Sequence, residues 1–243
     1  MKDTTMNATR TSVLRAGDRG SADHGWLKAR FTFSFANYFN PDRMGFRSLR
    51  VMNNDTIEPG GGFPKHPHSD MEIFTYVIEG ELEHRDSMGN GSIIKAGNLQ
   101  YLSAGSGVKH SEFNPSGKNR TYLYQIWLHP KESGGEPRYS EKPLGGAAGE
   151  NRLTLLFSGD GRDGSTPIRQ DAEIYFGKVT AGKVLVAPAS ESTPYAWLQV
   201  IAGEVNAFGE TLAAGDGLAI EDSPEAFDIS AGRDSRFLFF RLD

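Results

Sequence analysis

The 243-residue chain contains no cysteine. That excludes disulfides, thiolate catalysis and cysteine-ligated metals, and it fits a reducing compartment. No apolar run approaches the roughly 18 residues needed to cross a bilayer. Residues 1–12, MKDTTMNATRTS, lack the apolar stretch of a secretory signal and read as a flexible leader, with Met6 as an alternative start. A soluble cytoplasmic protein is expected. A basic surplus is missing as well, since 26 Lys and Arg face 31 Asp and Glu for a net charge of −5. Electrostatics therefore point to neither nucleic acid nor an anionic membrane as partner. Helical periodicity is nearly absent, and no histidine follows His129.

What is present is a series of short β segments. Phe31, Phe33 and Phe35 alternate as a half-buried strand would, and Phe46 to Met52 alternates into another that Asn53-Asn54-Asp55 closes. Ile73 to Leu82 is β-branched and aromatic, Asp86 to Asn90 reads as a hairpin turn, Gly91 to Ala96 returns, and Tyr122 to Leu128 follows. Strands at 8–12-residue spacing with 29 glycines for turns indicate a sandwich or barrel.

The second half repeats the first in faded form. Val77-Ile-Glu-Gly80-Glu81 resembles Val200-Ile-Ala-Gly203-Glu204, and Ala96-Gly97 resembles Ala214-Gly215. The reading is two β-barrels from one duplicated unit: a leader over 1–12, an N-terminal barrel over 13–129, a linker over 130–150 and a C-terminal barrel over 151–243. The two repeat offsets place His66, His68 and Glu72 opposite Ala189, Glu191 and Tyr195, and His110 and Glu112 opposite Asp228 and Ser230. The second barrel is therefore expected to hold no metal.

Chemistry concentrates between Gly60 and Asn114. His66/His68 and His110/Glu112 are alternating pairs, and in a strand residues i and i+2 share a face. Two such pairs meeting in one sheet or barrel present four metal-competent side chains. Three imidazoles with a carboxylate suit a divalent first-row metal. Glu72, four residues from His68, also shares its parity, so spacing leaves open whether Glu72 or Glu112 is the carboxylate ligand.

Gly60-x5-His66-x-His68-x3-Glu72 resembles the first cupin motif. Gly107-x2-His110-x3-Asn114 resembles the end of the second, although Gly105 stands where a proline is usual. His24-Gly-Trp26, Thr32-Phe-Ser-Phe35, Asn40-Pro-Asp and Ser103-Ala-Gly-x-Gly-x-x-His110-x-Glu112 are similar to the pirin family, closest to its bacterial quercetinase-like members. The resemblance implies an all-β bicupin, two consecutive jelly-roll-type barrels with one metal in the N-terminal barrel. Carried over, it makes His66, His68, His110 and Glu112 the ligands, with Glu72 orienting a histidine N–H. It implies Fe(II) first, with Ni, Cu, Mn, Co or Zn as alternatives. The implied activity is oxidative opening of a flavonol such as quercetin by dioxygen with release of carbon monoxide, Glu112 serving as base. Phe46, Phe63 and Tyr76 are candidates to sandwich the flat substrate. The alternative is a redox-sensing regulator that binds a transcription factor or enzyme without turnover.

Overall fold

The computed structural model describes residues 9–144 and 149–243. It is 57% strand and 3% helix, so the all-β expectation holds. In chain order the strands are β1 Arg10–Leu14, β2 Gly20–Asp23, β3 Leu27–Phe31, β4 Leu49–Ile57, β5 Gly62–His68, β6 Glu72–Glu79, β7 Glu81–Asp86, β8 Gly91–Lys95, β9 Asn98–Ser103, β10 Val108–Phe113, β11 Thr121–Leu128 and β12 Arg138–Pro143. They continue with β13 Arg152–Ser158, β14 Thr166–Pro167, β15 Glu173–Val179, β16 Val184–Ala187, β17 Tyr195–Ala202, β18 Glu204–Ala207, β19 Glu210–Ala213, β20 Gly217–Glu221, β21 Phe227–Ala231 and β22 Ser235–Leu242.

The chain divides into two compact units, one from Arg19–Ala147 and Ile168–Gln170, the other from Met1–Asp18, Ala148–Pro167 and Asp171–Asp243. Each pairs a seven-stranded with a four-stranded sheet rather than closing one barrel. The N-terminal unit has the orders β12-β9-β6-β11-β4-β3-β2 and β5-β10-β7-β8. The C-terminal unit has β1-β20-β17-β22-β15-β13-β14 and β16-β21-β18-β19. The second pair reproduces the first apart from the two edges of the large sheet: the strand beside β9 or β20 comes from a different part of the chain, and β2 pairs antiparallel with β3 whereas β14 pairs parallel with β13.

That edge differs from the sequence-based boundaries. β1 overlaps the expected leader and pairs with β20, in the C-terminal unit. β12 lies inside the expected linker and pairs with β9. A polar or glycine-rich segment still forms a strand when a neighbouring sheet edge offers its backbone groups partners. The remainder of the expected leader, 1–8, and linker residues 145–148 lie outside the described residues.

Local sequence explains the local form. β6 is buried on both faces over EIFTYV, as a central strand should be, whereas β3 alternates buried and exposed over LKARF. Gly80 and Gly203 both have positive φ, +75° and +83°. A Cβ at either would lie within 2.6 Å and 2.3 Å of the carbonyl oxygens of Arg120 and Asp234. Only glycine fits that turn in each copy. The N-terminal core joins Leu27, Phe31, Ile57, Val77 and Leu123 of the large sheet to Leu82 and Ile94 of the small one.

Candidate metal centre and cavity

β5 and β10 bring the two alternating pairs together. His110 pairs directly with His66, and Val108 with His68. A bulge between His110 and Glu112 shifts the register there, a common way to re-aim side chains at a site. The ring centroids of His66, His68 and His110 are 4.5–4.8 Å apart, and their ligand atoms lie within 4.8 Å of one another.

The histidines are prepared as ligands. His66 Nδ1 lies 2.8 Å from the Pro64 carbonyl oxygen, which can only accept. The proton therefore sits on Nδ1 and the Nε2 lone pair is free. His110 is buried, and neither of its ring nitrogens has a hydrogen-bond partner. Burial, reinforced by the neighbouring imidazoles, lowers His68 to about 4 and His110 to about 3, so both are neutral at pH 7. Neutral imidazoles with unused lone pairs suit a single divalent metal.

Glu112 is buried and held from the opposite sheet. Gln100 Nε2 donates to Oε1 at 3.2 Å and Gln125 Nε2 to Oε2 at 3.1 Å, while the single Thr75 hydroxyl proton is shared between Gln125 Oε1 at 2.9 Å and Glu112 Oε1 at 3.3 Å. These donors belong to a polar row, Asn53–Gln125–Thr75–Gln100, of directly paired residues on β4, β11, β6 and β9. Glu112 groups with His110 and His84, their ligand atoms all within 4.8 Å, rather than with all three predicted histidines at once. His84 was missed by sequence reasoning, because a lone histidine in a hairpin arm carries no pattern. It is fully buried, stacks on Tyr139 with centroids 4.6 Å apart, and its Nε2 lies 3.2 Å from Asp86 Oδ2. Its Nδ1 has no partner.

Glu72 is placed differently from expectation. Its carboxylate accepts from the hydroxyls of Tyr101 and Ser103 and from the Arg169 backbone N–H, not from a histidine. Parity is the reason. Glu72, Phe74 and Tyr76 share one face of β6, while Thr75, which bonds Glu112, is on the other.

A cavity of about 350 Å³ adjoins the histidines, lined by Phe35, Asn53, Asp55, Phe63, Pro64, Lys65, His66, His68, Glu112, Gln125 and Trp127. Of the three aromatics expected to sandwich a substrate, Phe63 lines it. Phe46 precedes β4, in an isolated bridge to Leu49, and Tyr76 is on the far face of β6; neither lines the cavity. Phe35 and Trp127 take their place, with Trp127 edge-on to His68 at 4.9 Å and to Phe35 at 5.4 Å. Asn53 and Asp55 were read as a strand end, but β4 runs on to Ile57 and carries both into the wall. Burial, and then the charge of Glu112, raise Asp55 to about 7.

The C-terminal unit lacks this site, and its register differs from the offsets read in sequence. Gly60 N–H bonds Asn114 O and Gly182 N–H bonds Ala231 O, which aligns Asn114 with Ala231. Phe227 and Ile229 thus stand at the places of His110 and Glu112, not Asp228 and Ser230. The pairing Ala187↔Phe227 puts Ala187, not Ala189, where His66 faces His110. The offset for His110 and Glu112 is off by one residue, which moves the side chains to the other face of the strand, and that for His66 is off by two, which runs past the end of β16.

Known proteins agree with this architecture. Residues 12–128 match the family model described as Pirin, and residues 155–242 match the one described as Quercetinase C-terminal cupin domain. A quercetin 2,3-dioxygenase of Escherichia coli (strain K12) is 46% identical, covering 95% of this chain and 97% of that protein. A pirin-like protein of Caulobacter vibrioides is 43% identical over 84% of this chain and 87% of its own. The crystal structure of the bacterial pirin YhhW from Escherichia coli in complex with nickel(II) superposes with a TM-score of 0.90 at 45% identity, covering 96% of this chain and 99% of that one. With this identity over nearly its whole length, and the histidine cluster on facing strands, the chain belongs to the pirin family.

Proposed function

We propose that the protein is a metal-dependent dioxygenase that opens a flavonol such as quercetin with dioxygen and releases carbon monoxide. The observation that carries this reading is the cavity beside the histidines, walled by Phe35, Phe63 and Trp127 and including His66, His68 and Glu112. Its volume and largely apolar wall with a few convergent polar groups are those of a small-molecule site. A histidine cluster sealed by side chains would instead have favoured the regulatory reading.

One divalent metal, Fe(II) by first choice, would be held by His66, His68, His110 and Glu112, and it supplies Lewis acidity and a redox relay between substrate and dioxygen. The protein's own groups do the rest. The aromatic walls bind and orient a flat ligand and keep water from its faces. Glu112 Oε2 accepts one N–H, from Gln125, and so retains a lone pair for a proton from the flavonol hydroxyl or for the metal, while Oε1 takes the Gln100 N–H and shares the Thr75 hydroxyl with Gln125. Gln100 and Gln125 hold that carboxylate in place while it does so.

The test is to reconstitute the protein anaerobically with Fe(II), count metal per chain, and then follow quercetin consumption and carbon monoxide release in air. One metal per chain with stoichiometric carbon monoxide is the expected result. Full metal loading without turnover of any flavonol would remove the dioxygenase reading.

A further inference from the structure

The cavity wall contains buried acceptors that nothing in the protein satisfies. Asn53 is 2% exposed and Asp55 5%, and Oδ1 of each has no hydrogen-bond partner. Neither residue is needed to hold a metal, and neither braces Glu112. A buried polar atom left unpaired costs free energy, so its retention calls for a partner from outside the chain.

The backbone beneath them is rigid. β4 is paired on both sides, with Asn53 between Phe31 and Gln125 and Asp55 between Ala29 and Leu123. The two residues are i and i+2 on one strand, so they share the face that lines the cavity. No lysine or arginine side chain among the described residues forms an ion pair with Asp55 within 4.0 Å. The same positions in the C-terminal unit, found through the pairings Tyr175↔Phe239 and Gly177↔Phe237, are Tyr175 and Gly177. There the Phe237 ring packs so closely that a Cβ on Gly177 would meet it at 2.3 Å. The acceptors occur where the N-terminal unit has its cavity and are replaced at the equivalent place in the C-terminal unit, where the Phe237 ring packs against Gly177.

We propose that Asp55, with Asn53 beside it, is a hydrogen-bond acceptor site that selects aromatic ligands presenting a hydroxyl group to β4. Trp127 adds a complementary feature, since its buried Nε1–H is also without a partner. The wall thus offers acceptors to a hydroxyl and a donor to a carbonyl, the combination found on a hydroxylated aromatic ketone. This inference takes its ligand class from the proposed function and adds the residues that discriminate within it.

The experiment measures dissociation constants, by calorimetry without oxygen, on protein loaded with one equivalent of redox-inert Zn(II). The ligands are quercetin and a set of flavonols each lacking one hydroxyl. The proteins are the wild type, Asp55→Leu and the near-isosteric Asp55→Asn, which guards against a folding defect in the first variant. One analogue should bind the wild type at least about tenfold more weakly than quercetin, and Asp55→Leu should not distinguish the two. Asp55→Asn, which keeps an acceptor oxygen, should retain part of the discrimination. Equal losses in wild type and both variants would overturn the acceptor site while leaving the proposed function intact. Tighter binding of an amino-substituted flavonol would likewise overturn the hydroxyl assignment. Failure of the wild type to bind any member of the set would overturn both readings together.

Discussion

The two units share one order of central strands and differ in what they place on the inward face. In the N-terminal unit the paired row across the large sheet is Asn53, Gln125, Thr75 and Gln100. In the C-terminal unit the corresponding row is Tyr175, Phe239, Leu198 and Leu218. Phe227 and Ile229 replace His110 and Glu112, and Ala207 falls where His84 stands. Trp127 gives way to Arg241, which is fully buried and donates to the carbonyls of Pro188, Ser223 and Glu225. The guanidinium lies 5.5 and 5.6 Å from the ring centroids of Phe227 and Phe239. The same scaffold is a reaction chamber in one copy and a packed core in the other. A handful of inward positions makes the difference, not the backbone.

That comparison can be broken most strongly by moving the C-terminal residue into the N-terminal site. His110→Phe should abolish stoichiometric metal binding, lowering affinity by more than about a hundredfold. Metal analysis of purified variant and wild type checks this, and retention of one metal per chain would exclude His110 from the ligand set.

The next effect is on stability. Asp55 is raised to about 7 by burial and by Glu112, against 3.8 for an ordinary aspartate. Between those values the folded state keeps a proton that the unfolded state has lost. The stability this confers is complete below about pH 4 and is lost as pH rises through 7. Asp55→Asn does not titrate, so its metal-free form should gain on the wild type by on the order of 4 kcal/mol between pH 4 and pH 8. His68 and His110 act in the opposite sense, their contribution present above pH 6.5 and lost as pH falls towards 4 and 3. They are common to both proteins and cancel in the difference. Thermal or urea unfolding across that range is the measurement, and a pH-independent difference would contradict the burial argument.

In the C-terminal unit Arg241→Met should destabilise by about 3 kcal/mol, because it strands three carbonyls while removing a charged donor. Flavonol turnover at 25 °C should be unchanged. A matching loss of activity would mean that the filled core is coupled to the chamber. The smallest effect sharpens the comparison of the polar rows. Gln100→Leu, which imports the residue found at Leu218, should lower kcat about tenfold by loosening Glu112, with metal content intact. Unchanged kcat would show that Thr75 and Gln125 suffice.

Much of the chamber was legible before the fold was known. The pairs His66/His68 and His110/Glu112 alternate, and alternation survives whatever sheet they enter. The duplicated glycines at 80 and 203 likewise announced the repeat. Other residues were hidden for physical reasons. Asn53-Asn54-Asp55 has turn-forming composition, and only the partners on β3 and β11 hold it extended as a strand. Polar residues inside a central strand are where local preference yields to function. Tyr76 and Glu72 were misplaced because strand parity fixes which residues share a face but not which face meets the cavity. The faded repeat misled by one residue at His110 and by two at His66 because the two copies differ in length at several turns, and every inward position depends on that count.

The crossed chain membership has a consequence for synthesis. Arg10 of β1 bonds Glu221 of β20, 211 residues later in the chain. At ribosomal rates of roughly 5–20 residues per second, β1 waits about 10–40 s for its partner strand. During that interval β1 has no partner strand, and the N-terminal unit is itself completed only when Arg169, whose backbone N–H bonds Glu72, has been made. The N-terminal unit is complete once Gln170 is made, whereas the C-terminal unit, which contains both β1 and β22, is complete only at the end of the chain. The C-terminal unit should therefore fold late, and its strand edges exposed during translation are the point of greatest vulnerability to aggregation.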